Sequence, residues 1–434
     1  MYSQHYKRNA LIVLTTVYTL SFMDRIMMGM LMQPIKEELQ FSDTQLGFLT
    51  GIAFALFYAT LGIPIARWAD RGNRVTIIAI SMALWGGMVT LCGLVTNFLQ
   101  MVLVRIGAAV GEAGCMPPAY SLIGDYFPVA ERVRALSIYM AGISISIVVS
   151  FLLAGWINEH YGWRLAFLIL GLPGLMMAVL VKCVLREPRK NLTAGIGEHA
   201  ASPSAEPPIL EVIAMLWQQH TYRYLVIAIT LANFVGIGVG QWFATFFIRH
   251  YAMATGELGI WLGLVGGLGG VLGAYMGGHI ADRYLKDNPS AQLRYTAVAV
   301  GLILPCLMVM LLLPHKYLAL FMLAPINFLI LGFYGPVLAM MQQLVEDKKR
   351  AMSIAVTMLI LNLIGMGLGP QVVGILSDAM SGMLGVASLQ VAMLISSFVV
   401  IGASYYFWQA SNTIEKDLFE ARNNKTGADY VFTK

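Results

Sequence analysis

Charge is what this sequence has least of. Asp, Glu, Lys and Arg make up 12% of its 434 residues, against roughly 25% in ordinary globular chains. So little polar surface excludes a water-soluble fold of this length. Cysteine is scarce too. Cys92, Cys115, Cys183 and Cys306 are scattered through apolar runs without metal spacing, and they read as small core residues. The seven histidines lie mostly at loops or run ends, with no catalytic Ser-His-Asp or His-Glu-x-x-His pattern. An enzyme is therefore not expected, nor a bound metal or cofactor. No ATP-binding motif is present, which argues against a primary pump. A receptor or scaffold would need a large extramembrane domain, and there is none.

What is present is hydrophobic. Apolar residues reach 58% and mean hydropathy is +0.71. The runs are continuous, not alternating, so they predict membrane-spanning helices and not a barrel. About twelve runs approach the roughly 20 residues a span needs. They lie near 9–32, 44–67, 75–96, 98–124, 134–157, 164–185, 222–248, 256–282, 293–313, 316–342, 351–378 and 386–409. The one long connection, 186–221, holds EPRKN, a Gly/Ala/Ser-rich stretch and SPSAEPP. The expected organisation is a six-helix bundle over 1–185, a linker over 186–221, a second six-helix bundle over 222–410 and a tail over 411–434. The polar start MYSQHYKRNA leaves the first span as a retained signal anchor.

Lys and Arg in the short loops set the orientation. Eleven (Arg67, Arg71, Arg74, Arg132, Arg134, Arg283, Lys286, Arg294, Lys348, Lys349 and Arg350) fall on one side, and four (Lys36, Arg164, Arg249 and Lys316) on the other. The richer side is expected in the cytoplasm, with both termini and the linker. The protein is thus expected to be a multi-pass component of the cell (inner) membrane. Its net charge of +5 reflects these loops and gives no reason to expect nucleic acid. Sequons at Asn191 and Asn424 fall on the cytoplasmic side and are expected to stay unused. Nothing in the sequence calls for more than a monomer.

The first span, LIVLTTVYTLSFMDRIMMGMLM, carries Asp24 and Arg25 side by side. A charge at the bilayer centre costs about 2.5–3.5 kcal/mol on insertion scales and usually faces a protein interior or a water-filled cavity. Arg105 and Glu112 lie seven residues apart in the fourth span. That is two turns, so they share one face about 10 Å apart. Burial favours a neutral carboxylate and a nearby Arg favours a charged one. Exchanging partners would therefore load or release a proton, unless the cluster is a static set of ion pairs. Asn233, Gln241, Asn327, Tyr334 and Asn362 are uncharged polar residues in the second half. They could line a cavity or simply hydrogen-bond between helices.

The halves echo each other. ARWADRGNR (66–74) follows the second span and GHIADRYLK (278–286) follows the eighth, so Asp70-Arg71 and Asp282-Arg283 hold equivalent places. A six-helix repeat with cargo bound near the midplane is the build of many secondary carriers. Small residues at spacing four, in GLVGGLGGVLGAYMGG (263–278) and at Gly142, Ser146, Ser150 and Ala154, predict close helix approach. Gly365, Gly369 and Pro370 predict a bend in the eleventh span.

These repeats resemble the cytoplasmic signature of the major facilitator superfamily, G-x-x-x-D-R-x-G-R-[RK]. Asp70, Arg71 and Arg74 match, while Ala66 and Asn73 replace its glycines; the second copy keeps Gly278, Asp282 and Arg283. YGWRLAF (161–167) is also typical of the superfamily. FMDRIMMGMLMQPIKEEL, TQLGFLTGIAFALFY, ADRGNR and VRIGAAVGEAGCMPPAYSLIGDYFP (104–128) are similar to the Spinster-like, sphingolipid-transporter-type family. The resemblance covers most of the first half, and the second matches as a generic carrier. It implies an all-α, twelve-helix major facilitator fold with two six-helix halves related by pseudo-two-fold symmetry. It also implies a proton-coupled carrier of a lysolipid-like or sphingoid-phosphate-like anion. Asp24 and Glu112 are then the protonation sites, and Arg25 or Arg105 their partner or the headgroup anchor. Asp70, Arg71, Arg74, Glu131, Arg134, Asp282 and Arg283 are candidate latch residues. The glycine-proline signature of many drug exporters is absent from the fifth span. A proton symporter for small organic or sugar acids, whose bacterial members share the Asp-Arg of the first span, is the alternative.

Overall fold

Asn and Ser residues at the ends of apolar runs start several of the helices. Ser42 and Gln45 form a reciprocal capping box. Asn73 accepts from the Thr76 amide at 2.9 Å, and Asn97 caps the following span from the Gln100 amide at 3.0 Å. Asn73, a departure from the superfamily signature, therefore supplies the cap that a glycine would lack.

The structure, a computed structural model, describes residues 2–188, 216–285, 287–346 and 349–426; at Ile63, Ala66, Asp70, Ala351 and 422–426 it describes the backbone only. Most of the expected linker, 189–215, lies outside the described residues, as do Asn191, Lys286, Lys348, the end of the tail from 427 and the side chains of Asp70 and Asn424. No β-strand occurs among the described residues.

The spans are α1 (Gln4–Leu39), α2 (Asp43–Ala69), α3 (Arg74–Cys92), α4 (Phe98–Tyr126), α5 (Val129–Tyr161), α6 (Trp163–Val184), α7 (His220–Tyr251), α8 (Thr255–Tyr284), α9 (Pro289–Leu312) and α10 (Lys316–Gln343). The apolar helical stretch that follows, 352–421, would be about 105 Å long if straight, several times a bilayer core. Gly385, at φ +53°, interrupts it, giving α11 (352–384) and α12 (388–421). Twelve spans result among the described residues. The expected first span, 9–32, is the apolar middle of a longer helix, because hydropathy marks the hydrocarbon-crossing part and not the polar ends.

By packing, the residues group into two units. The first holds α1–α6 with Gln241–Leu264 and Pro370–Leu389. The second holds the remaining parts of α7–α12. In the first unit the small-residue stripe of α5 lies on α1: Ser146, Ser150 and Ala154 are fully buried, and Ser150 Oγ donates to the Met23 carbonyl at 3.3 Å. In the second, Gly269, Gly273 and Gly277 of α8 lie against the backbone of Ala324, Phe328 and Gly332 of α10. Both stripes were legible in the sequence, and both let backbones approach where a larger side chain would clash. The bend foreseen in α11 takes the form of a π-helical stretch, Leu361–Leu368. A second one in α7, Phe234–Val239, packs near it: Gly365 meets Asn233, and Gly369 meets Gly238.

Candidate functional site

Two neighbours on α1 reach two residues on α4, two turns apart. Arg105 Nη1 donates to Asp24 Oδ2 at 2.5 Å. Arg25 grips Glu112 with both ends of its fork, Nη2 to Oε1 at 2.6 Å and Nε to Oε2 at 3.2 Å. Such bidentate pairs fix geometry as well as charge. The Asp24–Arg105 side chains are 0% and 1% exposed. Those of Arg25 and Glu112 are 16% and 6% exposed. The first pair is sealed and the second borders accessible space.

The surroundings are aromatic. The Arg25 guanidinium lies 4.4 Å from the Tyr58 ring centroid, 4.6 Å from Phe54 and 5.4 Å from Phe22. Arg105 lies 5.0 Å from Phe54. These faces steady a desolvated cation. Asp24 Oδ1 and Arg105 Nε are buried without a hydrogen-bond partner among the described residues. So is the hydroxyl of Tyr139, whose ring stacks on Tyr18 at 4.6 Å. Unsatisfied buried groups cost stability and tend to mark function.

Of the uncharged candidates, Gln241 joins this cluster: its Nε2 donates to the Arg25 carbonyl at 3.2 Å, and Gly29 leaves room for it. The other four lie in the second unit. Asn233 is buried. Asn327 donates back to the Leu323 carbonyl of its own helix at 2.8 Å. Tyr334 and Asn362 are half-buried.

Arg74 is fully buried at the start of α3. It bonds Asp125 at 2.7 Å, Ser121 at 2.7 Å and Glu187 at 2.5 Å, tying α3 to the end of α4 and to the chain leaving α6. Glu131 pairs with Lys7 at 3.3 Å. Arg71, Arg134, Asp282 and Arg283 are exposed, with Arg283 near the Tyr284 ring.

Sequence reasoning missed a second charged centre, at the Leu39 end of α1. Asp43 takes two bonds from Arg249, at 2.6 and 2.7 Å, one from Lys36 at 2.5 Å and one from the Ser377 hydroxyl at 2.6 Å. Asp378 accepts the Asp43 and Thr44 amides at 3.0 and 2.7 Å, closing the start of α2. Four segments of the first unit meet here, two of them from the second half of the chain. The available signal was Ser377-Asp378, a charge beside a hydroxyl at the end of an apolar run.

The family model described as Major Facilitator Superfamily matches residues 14–370. The chain belongs to this superfamily. It is 31% identical over 414 residues to an MFS-type efflux pump of Mycolicibacterium smegmatis, covering 94% of this chain and 93% of that one. It is 31% identical over 170 residues to the probable L-galactonate transporter of Escherichia coli, covering 39% and 37%. A crystal structure of a bacterial homolog to the human lysosomal transporter Spinster, inward-facing and unoccupied, matches with TM-score 0.86 at 29% identity over 96% of this chain and 99% of that one. The Spinster-like resemblance and the twelve-helix fold are thereby borne out. This facilitator is a transporter and not an enzyme.

Proposed function

We propose that this transporter moves an amphipathic organic anion, of the lysolipid or sphingoid-phosphate type, alongside protons by alternating access. One observation carries the reading: two crossed ion pairs of equal chemistry differ in exposure, Arg25–Glu112 bordering accessible space and Asp24–Arg105 sealed. A proton on Glu112 cancels its charge and leaves Arg25 uncompensated. Removing one partner of a buried pair costs about 3–5 kcal/mol. An anionic headgroup at Arg25 recovers much of that. Proton and anion therefore favour each other's binding, and the coupling is reciprocal. Asp24 is the second proton site, reached when the helices repack, with Arg105 as the second anchor. The aromatic faces around Arg25 suit a cargo whose charge is attached to apolar bulk, and Gln241, Asn233, Asn327, Tyr334 and Asn362 contact its uncharged parts.

The Asp43 centre acts as a clasp that must release when the Leu39 end opens. Asp70-Arg71, Arg74, Glu131, Arg134 and Asp282-Arg283 form the latch of the opposite, cytoplasmic end. In this reading 1–185 and 222–410 are two bundles joined by 186–221, both termini are cytoplasmic, and a monomer in the inner membrane suffices.

The likeness to the L-galactonate transporter favours a second reading, a proton symporter for small organic or sugar acids. Purified protein in liposomes loaded with a pH dye separates the two. Proton flux triggered by lysophospholipids or sphingoid phosphates supports the amphipathic cargo. Flux with sugar acids alone supports the symporter, and no flux with either overturns proton coupling.

A further inference from the structure

A groove of about 530 Å³ runs along the flank of the first unit, within the size range of ligand sites. Ile12, Met23 and Met27 of α1 form one wall, and Ile138, Ile145 and Leu153 of α5 the other, with α6 closing the third side. None of the four charged residues of the transport cluster lines it. Its isoleucines at 12, 138 and 145 are 56%, 45% and 49% exposed, so it opens sideways. From Ile12 to Met27 it extends about 22 Å at the helical rise, most of a hydrocarbon core of roughly 30 Å.

Its Gln4 end is basic. Arg8 lies four residues before Ile12, and Arg134 four before Ile138, so each continues its groove wall by one turn. The Lys7–Glu131 pair and the Ser150–Met23 bond hold α1 and α5 side by side and parallel, which puts both arginines at one level. The acid there, Glu131, is taken by Lys7. Arg132 donates to the Phe127 carbonyl. Arg8 and Arg134 are exposed, with no hydrogen bond or ion pair among the described residues. An apolar groove at membrane depth thus ends at two guanidiniums unengaged among the described residues. A bilayer phospholipid with an anionic head has both matching parts, an acyl chain and a phosphate that arginine forks recognise.

We propose that this groove holds one acyl chain of an anionic bilayer phospholipid, with its phosphate between Arg8 and Arg134. The lipid is a resident of the flank and not cargo; Arg134, a latch residue in the transport reading, is shared with it, while Arg8 and the groove walls are not.

The test is native mass spectrometry of the delipidated full chain, offered phosphatidylglycerol and phosphatidylcholine at equal concentration. The wild type is expected to retain one phosphatidylglycerol in preference by roughly tenfold or more, from two arginines. Arg8→Gln with Arg134→Gln lowers that retention to the phosphatidylcholine level. Ile145→Trp, which fills the groove from an exposed position, lowers retention of both. Equal retention of the two lipids by the wild type overturns the proposal, as does an unchanged preference in the arginine double variant or wild-type retention in Ile145→Trp. Excess lysophospholipid is expected to leave the bound phosphatidylglycerol in place; displacement in proportion would make the groove a cargo path and overturn its role as a resident site.

Discussion

Asp24 and Asp43 are both buried carboxylates facing arginine, yet their surroundings differ in kind. Asp43 collects four donors from Arg249, Lys36 and Ser377. Among the described residues Asp24 has one bond, from Arg105, and an oxygen with none. The first is saturated, as a clasp should be: every added donor deepens the closed state. The second is under-satisfied, as a switch should be: it has one bond to exchange and a second oxygen open to another donor. Counting charges would class the two centres together, and counting their hydrogen bonds separates them.

The largest effect should come from leaving the sealed pair half made. Arg105→Leu strands Asp24 at 0% exposure and is expected to destabilise the protein by about 3–5 kcal/mol and abolish transport. Thermal unfolding and uptake in liposomes check it; wild-type stability would mean that Asp24 is not held as an ion. Glu112→Gln comes next. It keeps shape and imitates the protonated state, so the fold should persist while proton-driven uptake drops by about 100-fold or more, the usual weight of a positioned proton-transfer group. Cargo exchange without a proton gradient should continue.

Arg249→Ala breaks the saturated centre. With two bonds to Asp43 lost, the clasp should loosen, and a cysteine placed at Gln241 should be alkylated severalfold faster. Unchanged labelling would remove the clasp from the account. The smallest effect belongs to Tyr139→Phe. Deleting an unpartnered buried hydroxyl should leave the melting temperature unchanged or slightly raised, since such a group costs about 1–3 kcal/mol when unsatisfied. A fall would reveal a bonding partner and blur the contrast between satisfied and unsatisfied centres.

The midspan cluster was legible because Asp24, Arg25, Arg105 and Glu112 each interrupt an apolar run, where charge is too costly to be incidental. Seven-residue spacing put Arg105 and Glu112 on one face, but it did not say which would meet Asp24. That crossing depends on how α1 and α4 pass each other. The glycine stripe of α8 was legible for a similar reason, since its spacing repeats. Asp43, Arg249 and Asp378 were not, because each sits at the end of a span, where a charge is unremarkable. Their meeting depends on three chain segments more than 100 residues apart in sequence. Arg74 illustrates the same limit. Its place in a repeated motif was visible, but Glu187, its partner, sat in what read as the start of a linker.

A proton on Glu112 and an anion at Arg25 should favour each other. Anion affinity measured against pH, in wild type and in Glu112→Gln, tests it most directly. Wild-type affinity is expected to tighten as pH falls, while Glu112→Gln binds with the tight, low-pH affinity at every pH. A wild type indifferent to pH, or a Glu112→Gln variant that binds more weakly than wild type throughout, would contradict it.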